Sequence, residues 1–409
     1  MLLIGTICTV VASGFVYRKF RQNRPLIVEE LLWNIKYNLL AIKDIINTWM
    51  KGKRNKNDCS PQPGRVAIVT GGSRGIGVEV VKMFLELDME VIIACRTPSA
   101  GENAILQIRE SGVESGQAKV YKLDNTSLKS VKQFAMEIKR NYKQIHVLIN
   151  NAGVMFCPYQ ETIDGFEEQW SVNYLSHFLL TALLLPLLKI GGHSERCSRI
   201  VNVTSCAHLL GEANFNNFLT KFAYAQSKLA QEIFTKGLQH LLEEKQYYVQ
   251  VYSVHPGLVY TKLFIHSYIW KLKLLTQYIF KTPRQGATPI VYAAVNKAVE
   301  NCGGIYIDNC YRSEGHPDAL NSSIQKELFE LSLRQVQLNN FFQYTSSCRV
   351  LFNQIKNQAS YNYLLSVRKL ICFYQYNFII NFYACFILFK TIDIIAQWLL
   401  VDSNLKIYL

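Results

Sequence analysis

Paired cysteines and charge are both scarce in this 409-residue sequence. Its eleven cysteines are scattered and none forms a C-x-x-C pair. That excludes the common zinc frameworks, argues against a disulfide scaffold and suits a reducing compartment. The eight histidines show no ligand spacing either, so no metal is expected. Only 18% of residues are charged while 49% are hydrophobic, which is apolar for a purely soluble protein. The net charge of +14 would serve a nucleic acid or an anionic membrane face. No basic stripe with interleaved aromatics is present, so a membrane is the expected partner and nucleic acid is not. The length accommodates an α/β domain of about 250 residues with extensions left over.

Met1 to Val16 carries no charge, and Arg18, Lys19, Arg21 and Arg24 follow at once. Residues 1–17 are read as a membrane signal anchor in preference to a cleaved signal. The basic flank after the apolar run puts the following domain in the cytosol. From 26 to 50, Leu31, Leu32, Ile35, Leu39, Ile42, Ile46 and Trp49 recur every three or four positions between charged residues. This is an amphipathic helix, lying in a membrane interface or packing on the domain. Residues 51–64, basic and holding Pro61 and Pro63, read as a linker.

The ordered domain opens with the strand-like run Val66 to Val69, which leads straight into Thr70-Gly-Gly-Ser-Arg-Gly-Ile-Gly77 and an apolar-periodic helix. Glycines between a strand and a helix let the backbone approach a pyrophosphate resting on the helix N-terminus. A second strand, Val91 to Ala94, ends at Cys95-Arg96, where a carboxylate would select NAD. Arg96, with Arg74 in the glycine turn, instead suits a 2′-phosphate, so NADP(H) is preferred and NAD(H) allowed. Further strands are expected at Val120–Leu123 (ending at Asp124), Ile145–Ile149 (ending at Asn150-Asn151-Ala152-Gly153), Arg199–Thr204, Val249–Val254 and, as an edge, Ile305–Ile307. Phe166 to Leu188 is a long helical pattern. Alternating strands and helices at this spacing imply an α/β fold with a Rossmann-type, doubly wound parallel sheet.

Tyr224 and Lys228 stand four apart, on one face of a helix. A neighbouring ammonium is expected to lower the pKa of the phenol towards neutrality and make it an acid/base for an alcohol or carbonyl oxygen. Many helices carry such a pair, so its weight comes from order. The chain runs Thr-Gly-x-x-x-Gly-x-Gly, Asn-Asn-Ala-Gly, Asn173 in the next helix, Ser205 after the fifth strand, Tyr-x-x-x-Lys, and Pro256-Gly257. That order resembles the short-chain dehydrogenase/reductase family over residues 65–338. The stretches His146–Met155, Asp164–Glu168, His177–Thr181, Ser198–Asn202, Gln226–Ala230 and Lys281–Ala287 are similar to its retinol dehydrogenase branch, including members acting on polyprenol and dolichal.

The resemblance implies roles. Tyr224 is the general acid/base, and Lys228 depresses its pKa and bonds the nicotinamide ribose. Ser205 holds and polarises the substrate oxygen, so Ser205 and Tyr224 bind substrate. Asn173 anchors a water relaying protons from Lys228. The cofactor-binding set is Gly71, Ser73, Arg74, Gly75, Ile76, Gly77, Arg96, Asp124, Asn151, Tyr224, Lys228, Pro256 and Gly257. Ser176 stands where relatives carry glycine, which predicts altered helix packing there. His255 is read as structural.

Thr261 to Lys281 is rich in aromatic, aliphatic and lysine residues and covers the cleft in this fold, as a lid touching lipid or as one that only buries itself. Residues 339–409 are an apolar extension, with a transmembrane reading at 370–389 set against sequence foreign to the working protein. The expected function is interconversion of a lipophilic alcohol and its aldehyde or ketone, of polyprenol, retinoid or steroid type. A non-catalytic nucleotide-binding membrane scaffold is the alternative. Location is the endoplasmic reticulum membrane facing the cytosol, with lipid droplets also open; a homodimer is allowed.

Overall fold

The computed structural model describes residues 26–51, 59–215, 220–266 and 279–345. The anchor reading at 1–17, linker residues 52–58, lid residues 267–278 and the segment 370–389 lie outside the described residues.

Eight strands form one sheet in the order β3-β2-β1-β4-β5-β6-β7-β8. They are β1 (Val66–Thr70), β2 (Glu90–Cys95), β3 (Gln117–Lys122), β4 (Val147–Asn150), β5 (Ser198–Val203), β6 (Val249–His255), β7 (Tyr306–Asp308) and β8 (Tyr311–Ser313). The first seven are parallel, and β8 closes the sheet antiparallel to β7. The expected edge strand at 305–307 is therefore interior, and β3 starts three residues before its predicted position. Strand order reverses at β1, which pairs β2 on one side and β4 on the other. A crevice opens at such a switch, beyond the carboxyl ends of the strands.

Alternating side chains of the central strands feed two cores. Ile68 joins Trp170, Tyr174, Phe178 and Phe234 on one face, while Ala67 and Val69 join Val81, Phe84 and Ile290 on the other. Each side chain of this size fully withdrawn from water contributes ~1.5–3 kcal/mol. The first face is covered by α4 (Leu128–Asn141), α5 (Glu168–Gly191), α6 (Thr220–Glu244) and α8 (Ser322–Val336). The second is covered by α2 (Gly75–Glu86), α3 (Pro98–Glu110) and α7 (Pro283–Val295). Packing continues past Leu338, since Phe341 is buried with its ring 5.0 Å from that of Phe178.

Among the described residues, only Glu168–Gly191 is long and apolar enough to cross a membrane, and 83% of that window is buried as a core helix. One turn of it, Ser171–Leu175, is a π-helix, the wide turn that often marks a functional site. Ser176 follows that turn. Its hydroxyl donates to Val172 O and accepts from Asn125 Nδ2 at 2.8 Å, so the departure from glycine ties the turn to the end of β3.

The N-terminal helix, α1 (Leu26–Lys51), packs on the domain, but not through the stripe its periodicity suggests. Trp33, Tyr37, Ala41 and Asp44 are buried, while Ile35, Leu39, Ile42 and Ile46 are between 48% and 61% exposed. Periodicity identifies apolar residues; it does not identify which of them meet a partner.

Candidate functional site

At the end of β1 the chain turns through Gly71 and Gly75, both in the left-handed region (φ +66° and +61°). A Cβ on Gly77 would stand 2.2 Å from Gly71 O and 2.8 Å from Asn151 Nδ2. Only glycine lets the first turn of α2 lie this close to the strand, which leaves its N-terminus open to an anion. Asn151 supports the turn from β4, donating from Nδ2 to Thr70 O at 2.8 Å. Thr70 Oγ1 accepts from the backbone N–H groups of Asn151 and Ala152, each at 2.9 Å.

His177 completes this corner. Its Nδ1 lies 3.0 Å from Asn173 O, and a carbonyl can only accept, so Nδ1 carries the proton. Nε2 then accepts from Thr70 Oγ1, 3.0 Å away. Burial pushes the imidazole down to about 3, which keeps it neutral in that tautomer.

The predicted cofactor residues lie around this turn. Arg74, the N-cap of α2, is exposed, as is Arg96, the residue after β2. The register Thr70↔Ala94 brings both to the same end of the sheet. The Ser73 side chain bonds the buried Cys95. Ile76 is half-buried beside Gly77. Asp124 is committed to its own turn, its Oδ1 accepting from Thr126 N (3.0 Å) and Thr126 Oγ1 (2.7 Å). Pro256 and Gly257 follow β6. Gly257 has φ +83°, and a Cβ there would meet Lys281 Nζ at 2.6 Å. This cradle fits a dinucleotide: a crevice at the switch, a glycine turn that side chains would fill, and two exposed guanidinium groups at its edge.

Asn173, Ser205, Tyr224 and Lys228 converge. Asn173 sits in the π-turn. Its Oδ1 accepts from Val154 N (2.8 Å), and its Nδ2 donates to Val154 O and Ser227 Oγ (3.0 Å each). Ser205 caps the short turn after β5, accepting from Ala207 N. Its side chain also bonds the Tyr224 phenol. Tyr224 is buried, its ring edge-on to Phe156 at 5.4 Å and 5.9 Å from Lys228 Nζ. Lys228 Nζ donates to Val203 O (2.8 Å) and Gln231 Oε1 (3.3 Å), and Gln231 Nε2 donates to Asn173 O at 2.6 Å.

The electrostatics differ from the expectation. Burial raises the Tyr224 pKa well above the ordinary phenol value, against a smaller lowering by Ser205. Burial also pushes Lys228 down to about 7. With its ammonium turned to a carbonyl and partly discharged near neutrality, Lys228 does not pull the phenol down in this state. Desolvation outweighs the neighbouring cation.

Thr70, His177 and Gln231 were given no role in the site from the sequence. Two lie on the faces of marked residues: His177 is four residues after Asn173, and Gln231 three after Lys228. Asp44 was missed as well. It reaches from α1 to His255, with Oδ2 3.1 Å from Nε2. Burial alone would lower His255, but Asp44 and Cys206 raise it well above its ordinary value. Burial alone would likewise raise Asp44, yet His255 and Lys281 bring it below the usual carboxylate value. His255 is thus one half of a buried ion pair.

The profile of the family described as "short chain dehydrogenase" matches residues 65–271. Human polyprenol dehydrogenase is 40% identical over 282 residues, covering 66% of this chain and 85% of the relative. Human retinol dehydrogenase 12 is 39% identical over 278 residues with the same coverage. Zebrafish (Danio rerio) polyprenol dehydrogenase is 38% identical over 291 residues, covering 69% and 89%. Among solved structures, an uncharacterized Mycobacterium paratuberculosis protein is similar at a TM-score of 0.55 and 29% identity, covering 69% of this chain and 96% of its own.

Proposed function

Since the chain belongs to the short chain dehydrogenase family, on its retinol dehydrogenase-like branch, and is thus an oxidoreductase acting on CH–OH groups, we propose that it interconverts a lipophilic alcohol and its aldehyde or ketone with NADP(H). The observation that carries the mechanism is the Tyr224 phenol bonded to Ser205, with Lys228 one helical turn away.

Bound nicotinamide supplies the acceptor or donor of hydride. Ser205 holds the substrate oxygen by a hydrogen bond. In oxidation Tyr224 first passes its own proton towards the neutral Lys228 amine and then, as phenolate, takes the alcohol proton; in reduction the phenol gives its proton to the carbonyl oxygen. Lys228, which titrates at about 7, gains or loses a proton at Nζ within the working range. Asn173 is a positioning residue: it fixes the loop at Val154 and, through Gln231, holds Lys228. Arg74 and Arg96 meet the 2′-phosphate, Gly71, Gly75 and Gly77 give the pyrophosphate backbone access, and Asn151 braces that turn.

The substrate class follows from the relatives' names, polyprenol and retinol, and from an apolar surround. Trp33, Tyr37, Phe156, Phe264 and Phe280 cluster with Tyr224. The exposed Ile35, Leu39, Ile42 and Ile46, flanked by exposed Lys36 and Lys43, suit an anionic bilayer surface. On this reading the domain faces the cytosol at the endoplasmic reticulum, and protease added to sealed microsomes should digest it; full protection would refute that orientation.

Replacing Tyr224→Phe tests the mechanism. Turnover of retinal or a prenyl aldehyde with NADPH should fall by about 10²-fold or more while NADPH binding survives. Retained turnover refutes the assignment.

A further inference from the structure

Tyr224 is 3% exposed, so no substrate oxygen reaches its phenol in this arrangement. Among the described residues, α1 packs towards it through Phe156. The Trp33 and Tyr37 rings stack at 5.3 Å and 7°, and both meet Phe156 edge-on, at 5.8 Å and 5.3 Å. Phe156 in turn contacts Tyr224, so one aromatic wall runs from α1 to the phenol. Ala41 and Asp44 continue the inner face towards His255. Asp44–His255 is the one ion pair tying α1 to the rest of the fold among the described residues.

Two further observations fit a helix with a second position. The indole N–H of Trp33 is buried without a hydrogen-bond partner, which costs ~1–3 kcal/mol while it stays so. The opposite face of α1 is an exposed aliphatic stripe, so the helix has an apolar surface to offer when its inner contacts part. The three side chains Asp44, Cys206 and His255 converge within 4.8 Å. Since His255 Nε2 is given to Asp44, the cluster reads as an ion pair beside a thiol.

We propose that α1 is the lid of the substrate site, latched by Asp44 on His255, and that Trp33 and Tyr37 are specificity-determining residues lining the path of the substrate's hydrocarbon chain. This rests on the reading of Tyr224 as the proton-transfer group. Closed, the aromatic pair fills the space before the phenol; open, it flanks a long unsaturated chain whose oxygen lies at Ser205 and Tyr224. A short substrate touches only the inner residues and gains nothing from Trp33 or Tyr37. Apparent affinity for any substrate is reduced by the fraction of time the lid is shut.

Cys206, buried under α1 beside His255, reports opening without any turnover. Alkylation by N-ethylmaleimide of the full chain in detergent, resolved by peptide mapping, gives its rate relative to Cys95, buried at the end of β2. Asp44→Asn should speed modification of Cys206 at least fivefold and leave Cys95 unchanged. An unchanged Cys206 rate overturns the lid. Should Asp44→Asn fold poorly, Tyr37→Leu, which keeps apolar volume and removes the stack, should speed Cys206 likewise, and no change there counts equally against the proposal. For specificity, Trp33→Ala should lower kcat/KM for the fifteen-carbon aldehyde farnesal at least tenfold more than for the five-carbon prenal. An unchanged ratio removes Trp33 from the substrate path. Because alkylation is independent of chemistry, its outcome is separable from failure of the Tyr224 assignment.

Discussion

Lys228 is a charged group placed where the fold disfavours its charge, and replacing it by methionine exposes that conflict. Its ordinary value of 10.5 falls to about 7 through burial alone. At 1.36 kcal/mol per pH unit this difference amounts to ~5 kcal/mol that the folded chain loses when it must hold the ammonium. The sign is fixed by proton counting. Between pH 7 and 10.5 the unfolded chain binds the extra proton, so wild-type stability rises with pH across that window. Below 7 both states are protonated and the loss is complete. Lys228→Met removes it but leaves Val203 O and Gln231 Oε1 without their donor, at ~3 kcal/mol together. The variant should therefore be ~2 kcal/mol more stable than wild type at pH 6, with the two curves crossing at about pH 8–9. Urea unfolding of the cofactor-free full chain in detergent, followed by tryptophan fluorescence from pH 6 to 10, measures this. Turnover should collapse in the same variant, so that stability gained accompanies function lost. Parallel stability curves across the whole pH range would refute a discharged, buried Lys228.

Two further outcomes follow from exposed residues. Arg74→Ala with Arg96→Ala should raise the NADPH dissociation constant by about 10- to 100-fold and leave NADH within about threefold, as the loss of charge-assisted bonds to one phosphate requires; equal effects in a fluorescence titration would contradict the 2′-phosphate reading. Leu39→Glu with Ile42→Glu should cut flotation with phosphatidylserine-containing vesicles by about 30-fold, from ~1 kcal/mol of lost apolar contact per residue, while prenal turnover is unchanged; undiminished flotation would remove the stripe from the membrane contact.

The fold was largely legible because parallel strands buried on both faces read as short aliphatic runs, and Val66–Thr70 and Val249–His255 are such runs. Strand β8 was not: Tyr-Arg-Ser is three residues long, largely exposed, and visible only through its pairing with β7. The site was legible as an ordered set of residue types, and the structure brings Asn173, Ser205, Tyr224 and Lys228 together. Their protonation was not legible. Whether an ammonium lowers a phenol depends on where Nζ points and how dry the pocket is, and four residues of spacing encode neither. Asp44 escaped notice because it is one acid among the charged positions of an amphipathic helix, 211 residues from its partner.

The wide turn at Ser171–Leu175 has a consequence for anyone exchanging parts between relatives. Within it, the carbonyl of Asn173 accepts from the side chains of His177 and Gln231. Trimming a single residue to regularise the coil would rotate everything downstream by about 100°. His177 would swing away from Thr70, and the glycine turn would lose its rear brace though no residue touching a ligand had been altered. The spare residue in that helix is a phase setting, and a chimera has to inherit it whole.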